Sequence, residues 1–331
     1  MKKVLLASLL VSAPALVACT DPTVTQHDRP LAVAASGDHI VATAAMELES
    51  TGFGCGGGDV DYGASALFVS DDRGATFERV VPPDTRALTF ISARGGMFYA
   101  IAHRNDGAFG VVRSADGRAW TEVATSDRFA EDLAVSSDAL LVAHTGGVLA
   151  SSDGAAWNER SLAAGDGYQA RVARSRGAIV VGTAAAGTLQ VSTEVGGWRQ
   201  LTVPGFTSIS QLIGAGDAVL VSGYTDNGQA FARVDVNELE LPPAVRTGSW
   251  SGATLTPAGL LDRSGTLATV DASGIGAPAP HIDPFTAASV DGDHVVVLRD
   301  GTLSASTDGG RTFTVAGTLP LLTLKIPSEV E

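Results

Sequence analysis

Ser306–Val315 reads STDGGRTFTV, and nearly the same phrase, SDDRGATFERV, stands at Ser70–Val80. Clipped forms keep the order of residue types at Ser114–Trp120 (SADGRAW), Ser151–Trp157 (SSDGAAW) and Ser192–Trp198 (STEVGGW). Each is a hydroxyl, an acid, glycine and an aromatic, set between two apolar runs. Those types suit a tight hairpin. The acid accepts backbone N–H bonds inside the turn, glycine takes a positive φ, and the aromatic buries against a neighbouring sheet. A turn acid repeated in this way satisfies its own backbone, so the phrase reads as structural rather than catalytic or metal-binding.

Working outward, each phrase is preceded by a short apolar strand, such as ALFVS (Ala66–Ser70), FGVVRS (Phe109–Ser114) or GTLSAS (Gly301–Ser306), and runs on into another, such as FERVV or WTEVA. Upstream lies a second recurring unit: a small-residue strand, a Gly/Asp turn, then a strongly apolar strand. It can be read seven times, with turns at Gly37, Gly95, Ser137, Gly177, Gly216, Gly259 and Gly292. The sixth copy is the most degraded. The first spacing is the longest, because residues 47–63 are inserted there. Four strands per unit of about 40–45 residues is a propeller blade. The expectation is an all-β chain forming a single β-propeller of seven four-stranded blades, six and eight being the neighbouring counts. With 39 glycines, 14 prolines and no long helical periodicity, the composition agrees.

The repeated phrase resembles the Asp-box (BNR repeat) of sialidase-like propellers, Ser-x-Asp-x-Gly-x-x-aromatic. Ser70, Asp72, Gly74 and Phe77 match it, as do Ser306, Asp308, Gly310 and Phe313. Ser114, Asp116 and Trp120, like Ser151, Asp153 and Trp157, are one residue short. Ser192, Glu194 and Trp198 carry Glu for Asp.

The first eighteen residues stand apart. Lys2 and Lys3 precede an apolar stretch, Val4–Val17, too short for a membrane span, and Leu16-Val17-Ala18-Cys19 follows. This resembles the lipobox of bacterial lipoproteins, which implies cleavage before Cys19 and acylation of that cysteine. Several acyl chains, at about 0.8 kcal/mol per buried methylene, anchor stably without a helix. The expected domains are a signal peptide at 1–18, a lipidated tether at 19–29 and the propeller at 30–331. The expected location is a bacterial membrane reached by export; Thr20 rather than aspartate after the cysteine favours the outer membrane, facing periplasm or surface. The net charge falls from −14 to −16 when Lys2 and Lys3 leave. Such a balance repels phosphate backbones, so no nucleic-acid partner is expected. With Cys19 acylated, Cys55 has no disulfide partner. A monomer is expected.

The strand order assigns each connection to a face. Strand 1–2 turns share one face with the Ser-x-Asp turns. Strand 2–3 loops and inter-blade connections line the other, where sialidase-type propellers bind. On that second face the candidate binding rim is His103, Arg104, His144, Tyr224, Arg263 and Arg299, with Glu47, Glu49, Asp59, Asp61 and Tyr62 from the insertion. Inter-blade loops add Arg86, Arg128, Trp250, His281 and Asp283. No cofactor is expected; the acids of 47–63 offer hard oxygen ligands for calcium, without EF-hand spacing. Small Ala, Ser and Thr residues along the first strands predict a narrow, close-packed centre.

The resemblance implies either of two functions. A sialidase-like glycoside hydrolase needs three arginines on the substrate carboxylate, an early Arg-Ile-Pro motif and a Tyr–Glu nucleophile pair. The chain has no Arg-Ile-Pro, the nearest text being Lys325-Ile326-Pro327, and only four tyrosines. Arg104, Arg263 and Arg299 are the arginines available for a clamp. The favoured reading, with no catalytic residues assigned, is a binding or scaffold propeller for a cell-envelope protein, peptide or glycan.

Overall fold

The computed structural model describes residues 23–51, 63–81, 87–104, 107–162, 170–175, 177–183, 186–192, 197–236, 246–247, 252–271 and 274–326. Every regular element among them is a strand. Seven four-stranded antiparallel blades follow one another along the chain and close into a β-propeller. Their first strands are Thr23–Ser36, Leu88–Arg94, Ala130–Val135, Arg171–Ser175, Phe206–Ala215, Thr254–Thr256 and Ala287–Asp291. These form the inner ring. In blade 6 the strands shrink to two or three residues, and a small hairpin, Val270–Asp271 with Gly274–Ile275, stands between the third and fourth. That is the degraded copy.

The core explains the repeat. It divides into seven apolar clusters, one in each gap between neighbouring blades. Successive side chains of a strand point to opposite faces, and both faces of a blade are covered by another blade. Ala34 and Val41 therefore pack toward blade 2, while Ala35, Ile40 and Ala42 pack toward blade 7. A strand buried on both sides reads as a continuous apolar run, which is the form of LLVA, AIVVG and HVVVL. Phe68, Phe98, Phe109 and Phe231 are among the largest fully buried side chains, each contributing about 1.5–3 kcal/mol by leaving water.

The first sheet differs from the expected boundary. Its opening strand begins at Thr23, seven residues before Pro30, and pairs with His39–Thr51 along its length, with a bulge between Pro30 and Ala32. The C-terminal strand Thr323–Ile326 joins its other edge, from Val24 opposite Ile326 to His27 opposite Thr323. Both chain ends are thus tied into one five-stranded sheet. Cys19 and Cys55 lie outside the described residues.

Candidate binding site at the channel mouth

The Ser-x-Asp turns are built alike. Ser70 Oγ donates to Asp72 Oδ1 at 2.7 Å, and Gly74 N–H donates back to Ser70 Oγ at 2.8 Å. Thr76 N–H closes on Asp72 Oδ1 at 2.9 Å. Ser306, Asp308, Gly310 and Thr312 repeat this at 2.7, 2.9 and 2.9 Å. The shorter turns move each partner one position earlier: Gly117 and Ala119 bond Ser114 and Asp116, and Gly154 and Ala156 bond Ser151 and Asp153. The hub is the serine, buried in all four turns. Sequence reasoning gave the work to the acid and missed it. Hydroxyl and N–H donors hold the Asp72 carboxyl down at about 2, with Thr76 the largest influence, and lower those of Asp116, Asp153 and Asp308.

Each turn also locks its blade to the one before. Gly74 has φ 92°, and a Cβ there would stand 2.3 Å from Leu303 of blade 7. Gly117, at φ 74°, has Val41 of blade 1 in the same place at 2.4 Å. Phe77, Trp120, Trp157, Trp198 and Phe313 all pack into the gap toward the preceding blade. Glu194 lies outside the described residues.

The opposite face opens into a channel along the axis, with a cavity of about 940 Å³. The expected close-packed centre is absent. Small residues along the channel lining, Ser92 and Ser289 among them, do not reach across a ring of seven strands, so they leave room instead of filling it.

Polar side chains of the inner strands brace the channel wall from blade to blade. Val172 N–H donates to Asp132 Oδ2 at 3.0 Å, and Ala35 N–H to Ser289 Oγ at 3.0 Å. Gln211 accepts from Ala253 N–H at 3.0 Å and donates to its carbonyl at 2.7 Å. Arg171 spans three blades, giving Nε–H to Ser210 O at 2.9 Å and Nη1–H to Glu131 O at 3.1 Å. These contacts replace the backbone ladder that inner strands of neighbouring blades lack. Burial pushes the Asp132 carboxyl up to about 6 despite the Val172 N–H and Arg171 beside it.

Of the sequence-selected rim, Tyr224 and Arg263 line this channel. Tyr224 is 48% exposed, and its hydroxyl accepts from Gln229 at 3.2 Å. Arg263 is exposed and lies against Gly252; its carbonyl accepts from Phe285 N–H at 3.0 Å, and its guanidinium has no hydrogen bond or ion pair among the described residues. The others go elsewhere. Arg104 pairs with Glu122 at 2.8 Å, and Arg299 with Asp283. His103 Nε2 meets Thr89 Oγ1 at 2.7 Å, and burial lowers its pKa. His144 is 1% exposed, its ring 6.2 Å from that of Phe109. His281 reaches Gly310 O at 2.7 Å within the blade 6–7 interface. Asp59, Asp61, Tyr62, Arg86 and Trp250 lie outside the described residues, as do the side chains of Glu47 and Glu49. Among the described residues no cluster of three or more His, Cys, Asp or Glu is placed to hold a metal.

Asp132, Arg171, Gln211 and Phe90 also line the channel and were missed by sequence reasoning. The available signal was a charged or amide residue inside a first strand, as in EDLAV, ARVARS and SQLIG.

The fold is shared with known propellers. The β-propeller domain of the Trilobed protease from Pyrococcus furiosus, described as having an open velcro topology, is 10% identical with a TM-score of 0.56, over 89% of this chain and 99% of that one. A chain of the mitotic checkpoint complex gives 10% identity and a TM-score of 0.56 over 90% and 96%. Sqt1 of Saccharomyces cerevisiae gives 12% and 0.51 over 91% and 88%. No protein-family model and no curated protein matches the sequence. At these identities the likeness concerns architecture alone.

Proposed function

We propose that this chain is an exported, lipid-anchored Asp-box β-propeller that acts as a binding or scaffold module for a cell-envelope protein, peptide or glycan. The channel mouth is its ligand site. One observation carries the reading: an open, partly polar cavity of about 940 Å³ sits on the axis, with exposed Tyr224 at its mouth beside Arg263, whose guanidinium has no partner among the described residues. Large concave sites with a few convergent polar groups are where propellers and other folds take ligands. The repeated Ser–Asp–Gly hydrogen-bond pattern supports reading the turns as Asp-boxes. The anchor is Cys19, four residues before the first strand starts at Thr23 on the channel-mouth face. The hydrolase alternative is disfavoured, because of the three arginines offered for a clamp Arg104 and Arg299 are held by Glu122 and Asp283 and Arg263 alone reaches the channel, where Arg171 is committed to backbone carbonyls.

The test is photo-crosslinking in intact cells with benzoylphenylalanine at Tyr224, and at Thr312 on the turn face as control. A discrete envelope adduct from position 224 and none from 312 is expected. Adducts from 312 alone, or from neither, contradict the assignment.

A further inference from the structure

Three described non-glycine residues have positive φ: Arg73, Asp300 and Phe90. Arg73 lies in a Ser-x-Asp turn. Asp300 precedes Gly301 in a two-residue hairpin, where this geometry is ordinary. Phe90 is different. It sits inside the first strand of blade 2 at φ 50°, within the bulge between Thr89 and Ser92. Bulky residues rarely take this conformation, which costs about 1–2 kcal/mol for an L-residue.

The kink has a packing consequence, since it turns Ile91 into the apolar gap between blades 1 and 2. Glycine or asparagine would make the same kink at less cost. What needs explaining is the phenyl ring, which is 38% exposed and lines the channel. Strain kept at a large exposed side chain marks a site where the side chain itself is used. Across the same channel stand Tyr224 of blade 5 and Arg263 of blade 6, whose guanidinium has no hydrogen bond or ion pair among the described residues. Aromatic surface and an exposed guanidinium in one cavity call for a ligand with both an apolar ring and an anionic group.

We propose that the channel mouth is a binding site for a ring-bearing anion, with Phe90 presenting the apolar contact and Arg263 the cation. This rests on the reading of the mouth as a ligand site and adds the ligand's chemical class. Phe90 is the specificity determinant. Its backbone is held by the bulge, so its ring enters the channel without a rearrangement on binding.

The test uses naphthalene-2-sulfonate as probe on the mature chain in lipid nanodiscs, with empty nanodiscs as blank, followed by ligand-observed NMR titration. Wild type is expected to bind with a dissociation constant of about 1 mM, the range for a probe of this size. Phe90→Ala and Phe90→Asn are each expected to lose about tenfold, and Arg263→Gln about the same. Asparagine tolerates the left-handed backbone, so it removes the ring without disturbing the bulge. 2-Naphthol, lacking the charge, binds about tenfold more weakly, and methanesulfonate, lacking the ring, does not bind. Unchanged affinity in either folded Phe90 variant, equal binding of methanesulfonate, or no binding by wild type overturns the proposal. If the probe fails while Tyr224 still crosslinks an envelope component, the ligand class falls and the binding role stands. If the probe binds and the crosslink fails, the reverse holds.

Discussion

Asp28 and Leu322 hold each other twice, across 294 residues of sequence: Leu322 N–H donates to Asp28 Oδ2 at 2.9 Å, and Asp28 N–H donates to Leu322 O at 3.0 Å. Arg79 completes the latch. Its guanidinium pairs with both oxygens of Asp28 and lies over the Phe68 ring, 5.5 Å from the centroid. The Asp28 side chain is almost fully enclosed, and both of its oxygens accept from donors, Oδ2 from Arg79 and Leu322 N–H and Oδ1 from Arg79. The group closes the ring together with the pairing of Val24–His27 on Thr323–Ile326 and the apolar gap between blades 1 and 7.

Asp28→Ala is expected to cost about 2–3 kcal/mol in a urea titration. That is less than the loss of a fully buried pair, because Arg79 keeps some access to water. Truncation after Pro320 removes the same contacts, so the double change should cost much less than the sum. Strict additivity would show that the C-terminal strand and Asp28 act independently.

Asp132 makes stability depend on pH in an unusual direction for a carboxylate. Its folded pKa of about 6 lies above the ordinary 3.8, so between those values the folded chain holds a proton that the unfolded chain has released. Its contribution therefore falls as pH rises through this window, by at most about 3 kcal/mol. Asp132→Asn should flatten that part of the curve, measured as the difference in unfolding free energy between pH 4 and pH 7. An identical pH slope in wild type and variant would contradict the buried, proton-holding carboxyl.

The turn acids behave in the opposite sense. Asp72, Asp116, Asp153 and Asp308 have lowered pKa values, so their stabilisation is present above the ordinary carboxylate pKa and is lost as pH falls below it. Asp308→Ala should melt earlier at pH 7, and the gap to wild type should shrink as the pH falls toward the lowered pKa. Naphthalene-2-sulfonate binding should be unchanged. A variant that lost the probe and kept its melting point would place this acid at the ligand.

The seven blades were legible because the turn chemistry and the double-sided burial are local and periodic: Gly37, Gly95 and Gly292 mark strand 1–2 turns as read, and LLVAH at Leu140–His144 is buried throughout. The site was only half legible. Tyr224 and Arg263 stand at strand ends, where the rim argument looked. Asp132, Arg171 and Phe90 belong to inner strands, where a polar or strained residue is visible only once the ring is closed and the axis is known to be open. The choice of Arg104, Arg299 and His144 followed from strand order, which gives the face but not the radius. Their partners Glu122, Asp283 and Phe109 come from the same blade or its neighbour, and nothing in the spacing announced them.

Burial between blades gives a sharper check on the ring. Ala34 is fully buried in the gap between blades 1 and 2. Ala34→Arg places an unpaired charge there and should cost several kcal/mol, or prevent folding; circular dichroism and a thermal melt decide it. A variant that melts with wild type would contradict the packing.

The most direct measurement of the central claim, that the channel mouth is where this propeller binds, is a crystal structure of the chain grown with naphthalene-2-sulfonate. The account predicts the probe's rings against Phe90 and its sulfonate within hydrogen-bonding distance of Arg263, inside the channel. A probe held on the turn face with the channel empty, or a Phe90 ring turned away from the axis, would contradict it.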